Sequence, residues 1–249
     1  MDGVNDTART GSAAHGEDGQ GLASIAALLA DRTRAHFCLT LLDGRAWTAG
    51  ELASGAGVAR STATEHLNAL VGAGLLAEVR QGRHRYVRLA RPEVAELIEQ
   101  LAGLAGTPLT AKAPASLSAA GRKRALARAR TCYDHLAGAL GVALTDAMTE
   151  HGLLDWTHGL TLTPAGLAWL DELGISTPAL TTGARRPAVR PCQDWTERRP
   201  HLAGAVGAAI CRHAFEDHWV TRVGTTRAVQ LTDTGRATLA RHLGLTDLP

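Results

Sequence analysis

At 249 residues with a formal net charge of +2, the chain has room for one large domain or two ordinary ones. Its net charge is too small for whole-chain attraction to a polyanion. Hydrophobic residues make up 45%, dominated by Ala and Leu with two Phe and two Tyr, which favours helices over sheets. Cys38, Cys132, Cys192 and Cys211 are too scattered for a secreted disulfide framework, no apolar run reaches the length of a membrane span, and no apolar leader follows Asp2 and Asp6. A cytoplasmic protein with no membrane partner is expected.

Residues 1–21 are Gly, Ala, Asp and Ser with little to bury, and they are expected as a disordered tail. Leu22–Ala30 and Arg32–Leu42 predict two helices, with Asp31 as the cap between them and Gly44 ending the second. Thr48 and Glu51 form a capping box, framed by Trp47 and Leu52 as its staple, so a short helix starts there and stops near Gly55–Gly57. Arg60–Val71 predicts the next helix, with Ala63, Leu67, Leu70 and Val71 on one face and Arg60, Ser61, Thr64, Glu65 and Asn68 on the other. Leu75–Val79 and Tyr86–Leu89 alternate as strands around a Gln81-Gly82-Arg83 turn, and Pro92 opens a helix to about Leu104.

Residues 106–117 are rich in Pro, Ala and Thr and are expected as a linker. Beyond it the chain repeats itself. His135-Leu-Ala-Gly-Ala-Leu-Gly returns as His201-Leu-Ala-Gly-Ala-Val-Gly, and Leu162-Thr163 with Gly166 and Leu170 returns as Leu231-Thr232 with Gly235 and Leu239. Each copy, about 132–175 and 192–245, is expected as helix, hairpin and capped helix. The fold expected is therefore mainly α with short β-hairpins: a winged helix-turn-helix over 22–105, and a C-terminal domain over 118–249 of two winged-helix-like helix–hairpin–helix repeats.

A short helix, a glycine turn and a second helix is the helix-turn-helix order, whose second helix lays its N-terminal residues against base edges in the major groove. Between Val58 and Arg91 six arginines stand against two glutamates, a localised positive face. Candidate DNA contacts are Thr48, Arg60, Ser61, Thr62, Thr64, Glu65, His66 and Asn68, with Arg80, Arg83, His84 and Arg85 on the hairpin. For His66 the alternative is packing, and for the hairpin tip a solvated turn.

Residues 22–105 resemble the arsenical-repressor (ArsR) family of winged-helix regulators. The resemblance is carried by Leu28-Leu29-Ala30-Asp31-Arg32-Thr33-Arg34, Glu51-Leu52-Ala53, Gly57-Val58, Ser61 through Leu70, Gly74-Leu75-Leu76 and Arg80 through Tyr86. It implies a dimeric repressor of double-stranded DNA, with the first and last helices of the domain at the homodimer interface, released by a signal. Ala59 stands where the family often has a capping Ser. Leu52-Ala53-Ser54 lacks the family's metalloid-sensing cysteine pair, and Glu93–Leu104 lacks its Asp/His metal ligands. The usual metal input therefore does not carry over, and a small-molecule or metal effector acting in the C-terminal half is expected instead.

Within that half, Cys132 and His135 at i, i+3 would share a helix face, and Cys192 and His201 are their repeat mates. The four are an alternative metal or thiol-redox site; against it, a single CxxH carries little, the second copy has a different spacing, and buried Cys and capping His explain the same residues. No cofactor is called for. Arg122, Lys123, Arg124, Arg128 and Arg130 form a basic run, read as a solvated face or a contact with flanking DNA. Trp156, Trp169, Trp195 and Trp219 are expected in the core, or lining a small-molecule pocket. No glycine turn for a nucleotide and no strained nucleophile turn is found, so an enzyme is not expected; a protein-interaction module is the remaining alternative.

Overall fold

Asp31 decides where the first two helices part. The computed structural model describes residues 10–82, 84–105, 117–176 and 187–248. In it α1 (Thr10–Leu29) precedes α2 (Arg32–Thr40), and the Asp31 carboxylate accepts the Arg34 N–H at 2.9 Å as the N-cap of α2. Arg34 then reaches back. Its Nε donates to the Leu28 carbonyl at 2.6 Å and its Nη2 to the Ala27 carbonyl at 3.1 Å, satisfying carbonyls that the end of α1 leaves open.

A 3-10 turn (Leu41–Asp43) and a two-residue strand β1 (Trp47–Thr48) lead into α3 (Ala49–Ala56). Thr48 Oγ1 accepts the Glu51 N–H at 3.3 Å, and Glu51 Oε2 accepts the Thr48 N–H at 2.8 Å, so the capping box forms as expected. Gly57, left-handed at φ 72°, ends α3, and α4 (Arg60–Gly72) follows from Ala59, which offers no side-chain cap. The wing is β2 (Leu76–Gln81) against β3 (His84–Leu89), and β1 pairs on the other side of β3, giving the order β1-β3-β2. Phe37, Cys38, Leu41, Leu52, Ala63, Leu67, Leu70, Leu76 and Val87 are buried between these elements. Together they make a winged helix-turn-helix.

The chain divides into two compact units, one of residues up to Leu41 with Ala46–Ala90, the other of Leu42–Arg45 with Arg91–Pro249. Four expectations are corrected here. Thr10–Gly21, expected within a disordered tail, continues α1 N-terminally; extending an existing helix adds one hydrogen bond per residue without the cost of a new nucleus. Helix α5 (Pro92–Leu104), expected to close the winged-helix domain, groups with the second unit. The reason is Glu99, a buried carboxylate whose cationic partners Arg130 and Arg227 lie there, and a buried charge must stay with its partners. Residues Leu42–Arg45 group with it too, because Arg227 donates its N–H to the Asp43 carbonyl at 2.9 Å and its Nε to the Leu42 carbonyl at 2.6 Å. Of the expected linker, residues 106–116 lie outside the described residues, and Leu117 already begins a helix.

The second unit continues with α6 (Leu117–Arg128), β4 (Arg130–Cys132), β5 (His135–Ala137), α7 (Gly138–Glu150), β6 (Leu154–Asp155), β7 (Thr161–Leu162) and α8 (Pro164–Glu172). After it come β8 (Arg190–Gln193), β9 (Pro200–Ala203), α9 (Gly204–Glu216), β10 (Val220–Arg222), β11 (Val229–Leu231) and α10 (Asp233–Leu243). The four strand pairs β4–β5, β6–β7, β8–β9 and β10–β11 are each antiparallel hairpins. Thr163 Oγ1 accepts the Gly166 N–H at 3.0 Å and donates to the Gly152 carbonyl at 2.7 Å. Thr232 Oγ1 accepts the Gly235 N–H at 3.0 Å and donates to the His218 carbonyl at 2.6 Å. Leu140, Met148, Trp169, Leu170, Val206, Ile210, Trp219 and Leu239 belong to one core.

Candidate functional site

The capping box sets the start of α3 and the left-handed Gly57 its end, which aims α4 outward. Ala63, Leu67 and Leu70 bury one side of α4. On the other side Arg60, Ser61 and Glu65 are exposed, Thr62 and Thr64 half-buried, with the Thr64 hydroxyl donating back to the Arg60 carbonyl at 2.8 Å. The Arg60 guanidinium lies over Gly50, where a Cβ would stand 3.2 Å from its Nε. On the wing, Arg80 and His84 are exposed, His84 beside the Tyr86 ring at 6.3 Å, and Arg83 lies outside the described residues.

Four of the expected DNA contacts are engaged within the fold. The Thr48 hydroxyl is held by Glu51, donating to its Oε2 at 2.8 Å. His66 turns toward α2, edge-on to Phe37 with ring centres 6.5 Å apart and its Nδ1 3.4 Å from Arg34 Nη1. Arg85 Nη2 donates to Asn68 Oδ1 at 2.9 Å and pairs with Glu78, so Asn68 and Arg85 tie the wing to α4. Sequence reading missed that tie because the three residues lie on separate elements, and it missed the reach of Arg34 because orphan helix-end carbonyls carry no sequence signal.

In the second unit, Cys132 and His135 do not share a helix face. They are register partners across the β4–β5 hairpin, turned by Tyr133 at φ 57°, because the helix begins only at Gly138. Cys192 and His201 are likewise register partners across β8–β9. The longer second spacing is taken up beyond the paired residues, where the Asp194 N–H donates to the Arg199 carbonyl at 3.0 Å. All four side chains are buried, and one ligand atom from each lies within 4.8 Å of the others. The sulfurs are 4.0 Å apart and the two Nε2 atoms 3.1 Å apart.

A buried charged shell surrounds this quartet. Arg130, counted in the basic run as surface, is fully buried; its Nη2 donates to Asp194 Oδ2 at 3.0 Å, its Nη1 to Thr196 Oγ1 at 3.2 Å, and it stacks on the Trp195 ring at 5.0 Å. Glu99 Oε1 accepts from Arg227 Nη2 at 2.6 Å and from Trp195 Nε1 at 3.1 Å, and Cys132 Sγ donates to its Oε2 at 2.7 Å. Burial alone would raise the Glu99 carboxyl, but Arg227 and Arg130 outweigh it and hold it below the usual range. Asp194 is depressed strongly: burial is overcome by His201, Arg130, Thr196 and the Gly138 N–H. Trp169 and Trp219 are core, whereas Trp156 lines a cleft of about 380 Å³ with Thr145, Asp146, Thr149, Glu150 and Arg199.

An outward helix after a tight turn, with a wing beside it, defines a winged-helix DNA-binding protein. A helix-turn-helix domain family matches residues 29–79. The chain is 40% identical over 225 residues, 90% of its length and 97% of the relative's, to the HTH-type transcriptional regulator YdfF of Bacillus subtilis. It belongs to the HTH-type transcriptional regulators, with an ArsR-like winged helix, and is a DNA-binding regulator of transcription. It is also 36% identical over 80 residues to the regulator CmtR of Mycobacterium tuberculosis, 32% of this chain and 67% of that one. Among solved structures, it is similar to a homodimeric winged helix-turn-helix domain, Mb0332, of Mycobacterium bovis (28% identity, 44% of this chain and 94% of that one, TM-score 0.34). It is also similar to the cadmium sensor CmtR of Mycobacterium tuberculosis (38% identity, 30% and 75%, TM-score 0.27). No helix among the described residues is long and apolar enough to cross a membrane.

Proposed function

We propose that the chain is a homodimeric, sequence-specific repressor in the cytoplasm, released from its operator by a signal received in the second unit. The observation that carries the DNA reading is the exposed N-terminal half of α4. There Arg60, Ser61 and Glu65 project from a helix whose opposite face is buried. Arg60 reads guanine, Glu65 accepts from cytosine, Ser61, Thr62 and Thr64 serve base or phosphate, and Arg80 and His84 lie along the strand. Asn68, Arg85, His66 and Thr48 hold the geometry.

Support for the homodimer comes from α5, where Leu97, Leu101 and Leu104 are exposed at helical spacing and Leu104 is 83% exposed. The second unit reads as two copies of a helix–hairpin–helix, α7 to α8 and α9 to α10, with matched threonine caps. It is an architectural and sensing module rather than a catalytic one. Its cleft beside Trp156 is the place for a small-molecule signal.

The test is selection of bound fragments from the native genome, followed by Arg60→Ala on the operator found. Affinity should fall by about 1–3 kcal/mol, roughly 5- to 150-fold, with relaxed preference at one base pair. An equal loss on every sequence would show that Arg60 touches only phosphate.

A further inference from the structure

The two hairpins β4–β5 and β8–β9 each bring a cysteine and a histidine opposite one another, and the two pairs face a common centre. We propose that Cys132, His135, Cys192 and His201 form a four-ligand site for a zinc-class divalent ion that staples the two hairpins of the second unit together. The inference concerns this unit alone and does not depend on the DNA reading.

The distances fit one tetrahedral ion. With metal–sulfur bonds of about 2.3 Å and metal–nitrogen bonds of about 2.0 Å, a regular tetrahedron sets its two sulfurs about 3.8 Å and its two nitrogens about 3.3 Å apart. The sulfurs here are 4.0 Å apart and the nitrogens 3.1 Å apart. Two cysteines and two histidines are a donor set that selects zinc over hard cations, which take oxygen.

The surroundings are those of a metal site. Both histidines point Nε2 to the centre and Nδ1 to a carboxylate, His135 to Asp134 at 3.2 Å and His201 to Asp194 at 3.3 Å. The hydrogen bond to Asp134 fixes the tautomer and ring orientation of His135, and the Asp194 carboxylate faces His201 Nδ1 as a counter-charge. On loading, Cys132 and Cys192 release their thiol protons to solvent, the Cys132 proton being the one now donated to Glu99 Oε2; the two thiolates neutralise the divalent ion, and Arg227 and Arg130 remain to hold Glu99 and Asp194.

The repeated HLAGAxG motif builds the approach. A Cβ on Gly207 of α9 would meet His135 Cβ at 3.3 Å, and one on Gly141 of α7 would meet His201 Cβ at 3.7 Å. Each helix's second glycine thus lets the other hairpin's histidine come close. Because all four positions are protein ligands and all are buried, no coordination site is open to substrate, and the ion is a resident structural one.

The experiment measures metal in the full chain purified under reducing conditions, by elemental mass spectrometry, and then the absorption of protein refolded with Co²⁺. About one zinc per chain is expected. Cobalt should show intense tetrahedral d–d bands together with sulfur-to-cobalt charge transfer. Cys192→Ser should lose both metal and charge transfer, whereas Cys211→Ser, at a buried thiol outside the cluster, should keep them. The wild-type readings do not require any variant to fold. Less than a tenth of an equivalent of metal in the reduced wild type, octahedral cobalt spectra, or retention of metal by Cys192→Ser would each overturn the site. A Cys132–Cys192 disulfide in metal-free protein from the cell would replace it with a redox pair.

Discussion

The same tripeptide occurs twice in the second unit, and the same substitution should destabilise the protein at one copy and leave it unchanged at the other. Asp155-Trp156-Thr157 and Asp194-Trp195-Thr196 form the same local turn. In each, the aspartate Oδ1 accepts the threonine N–H at 2.9 Å and its hydroxyl at 2.6 Å. Asp155 is exposed and Asp194 fully buried, where Oδ2 also accepts from Gly138 N–H at 2.7 Å and Arg130 Nη2 at 3.0 Å. In Asp194→Asn the size is kept, but one oxygen becomes an NH₂ facing donors, and Arg130 loses its nearest counter-charge. Breaking one partner of a buried pair costs about 3–5 kcal/mol, a large part of the roughly 5–15 kcal/mol that holds a domain folded. At about 2–4 °C per kcal/mol for a unit of this size, the melting midpoint should fall by about 6–20 °C. Tryptophan fluorescence reads this unit, since four of the five tryptophans lie in it. Melts of wild type, Asp194→Asn and Asp155→Asn at equal metal loading make the comparison, with Asp155→Asn expected to match wild type. Equal shifts for the two variants would refute the argument from burial.

Two further contrasts use the same logic. Ala59→Ser, at an extended N-cap with no side-chain bond, should raise the stability of the first unit by about 1 kcal/mol, and Thr48→Ala should lower it by a similar amount; urea midpoints by circular dichroism check both signs. Gly72→Ala, where a Cβ meets nothing within 4 Å, should stabilise by about 0.5–1 kcal/mol. Gly207→Ala would place a Cβ 2.5 Å from the Leu202 carbonyl oxygen, so it should cost about 1–3 kcal/mol in the same assay.

Local rules made much of the molecule legible. The Thr48–Glu51 box, the Asp31 cap, Gly57 and the apolar stripe of α4 involve residues within a few positions of each other, so periodicity and capping chemistry find them. The same rules misplaced His135: Cys132 and His135 at i, i+3 suit a helix face, yet Gly138, at φ 75°, starts the helix after His135 has already entered a strand. For the DNA face, spacing found the outward side of α4 but could not separate Arg60 from Arg85. One is exposed; the other is bound to Glu78 and Asn68 from different elements.

By itself the sequence determined the helix-turn-helix order, the caps and the recurrence of the HLAGAxG and Leu-Thr motifs, because each rests on hydrogen bonds and apolar spacing within a dozen residues. Only tertiary structure decided which of two identical Asp-Trp-Thr turns is buried, which arginine of a basic run becomes a core cation, and that four cysteines and histidines converge. Those outcomes depend on partners dozens of residues away, and desolvation acts on a side chain only once such partners have enclosed it.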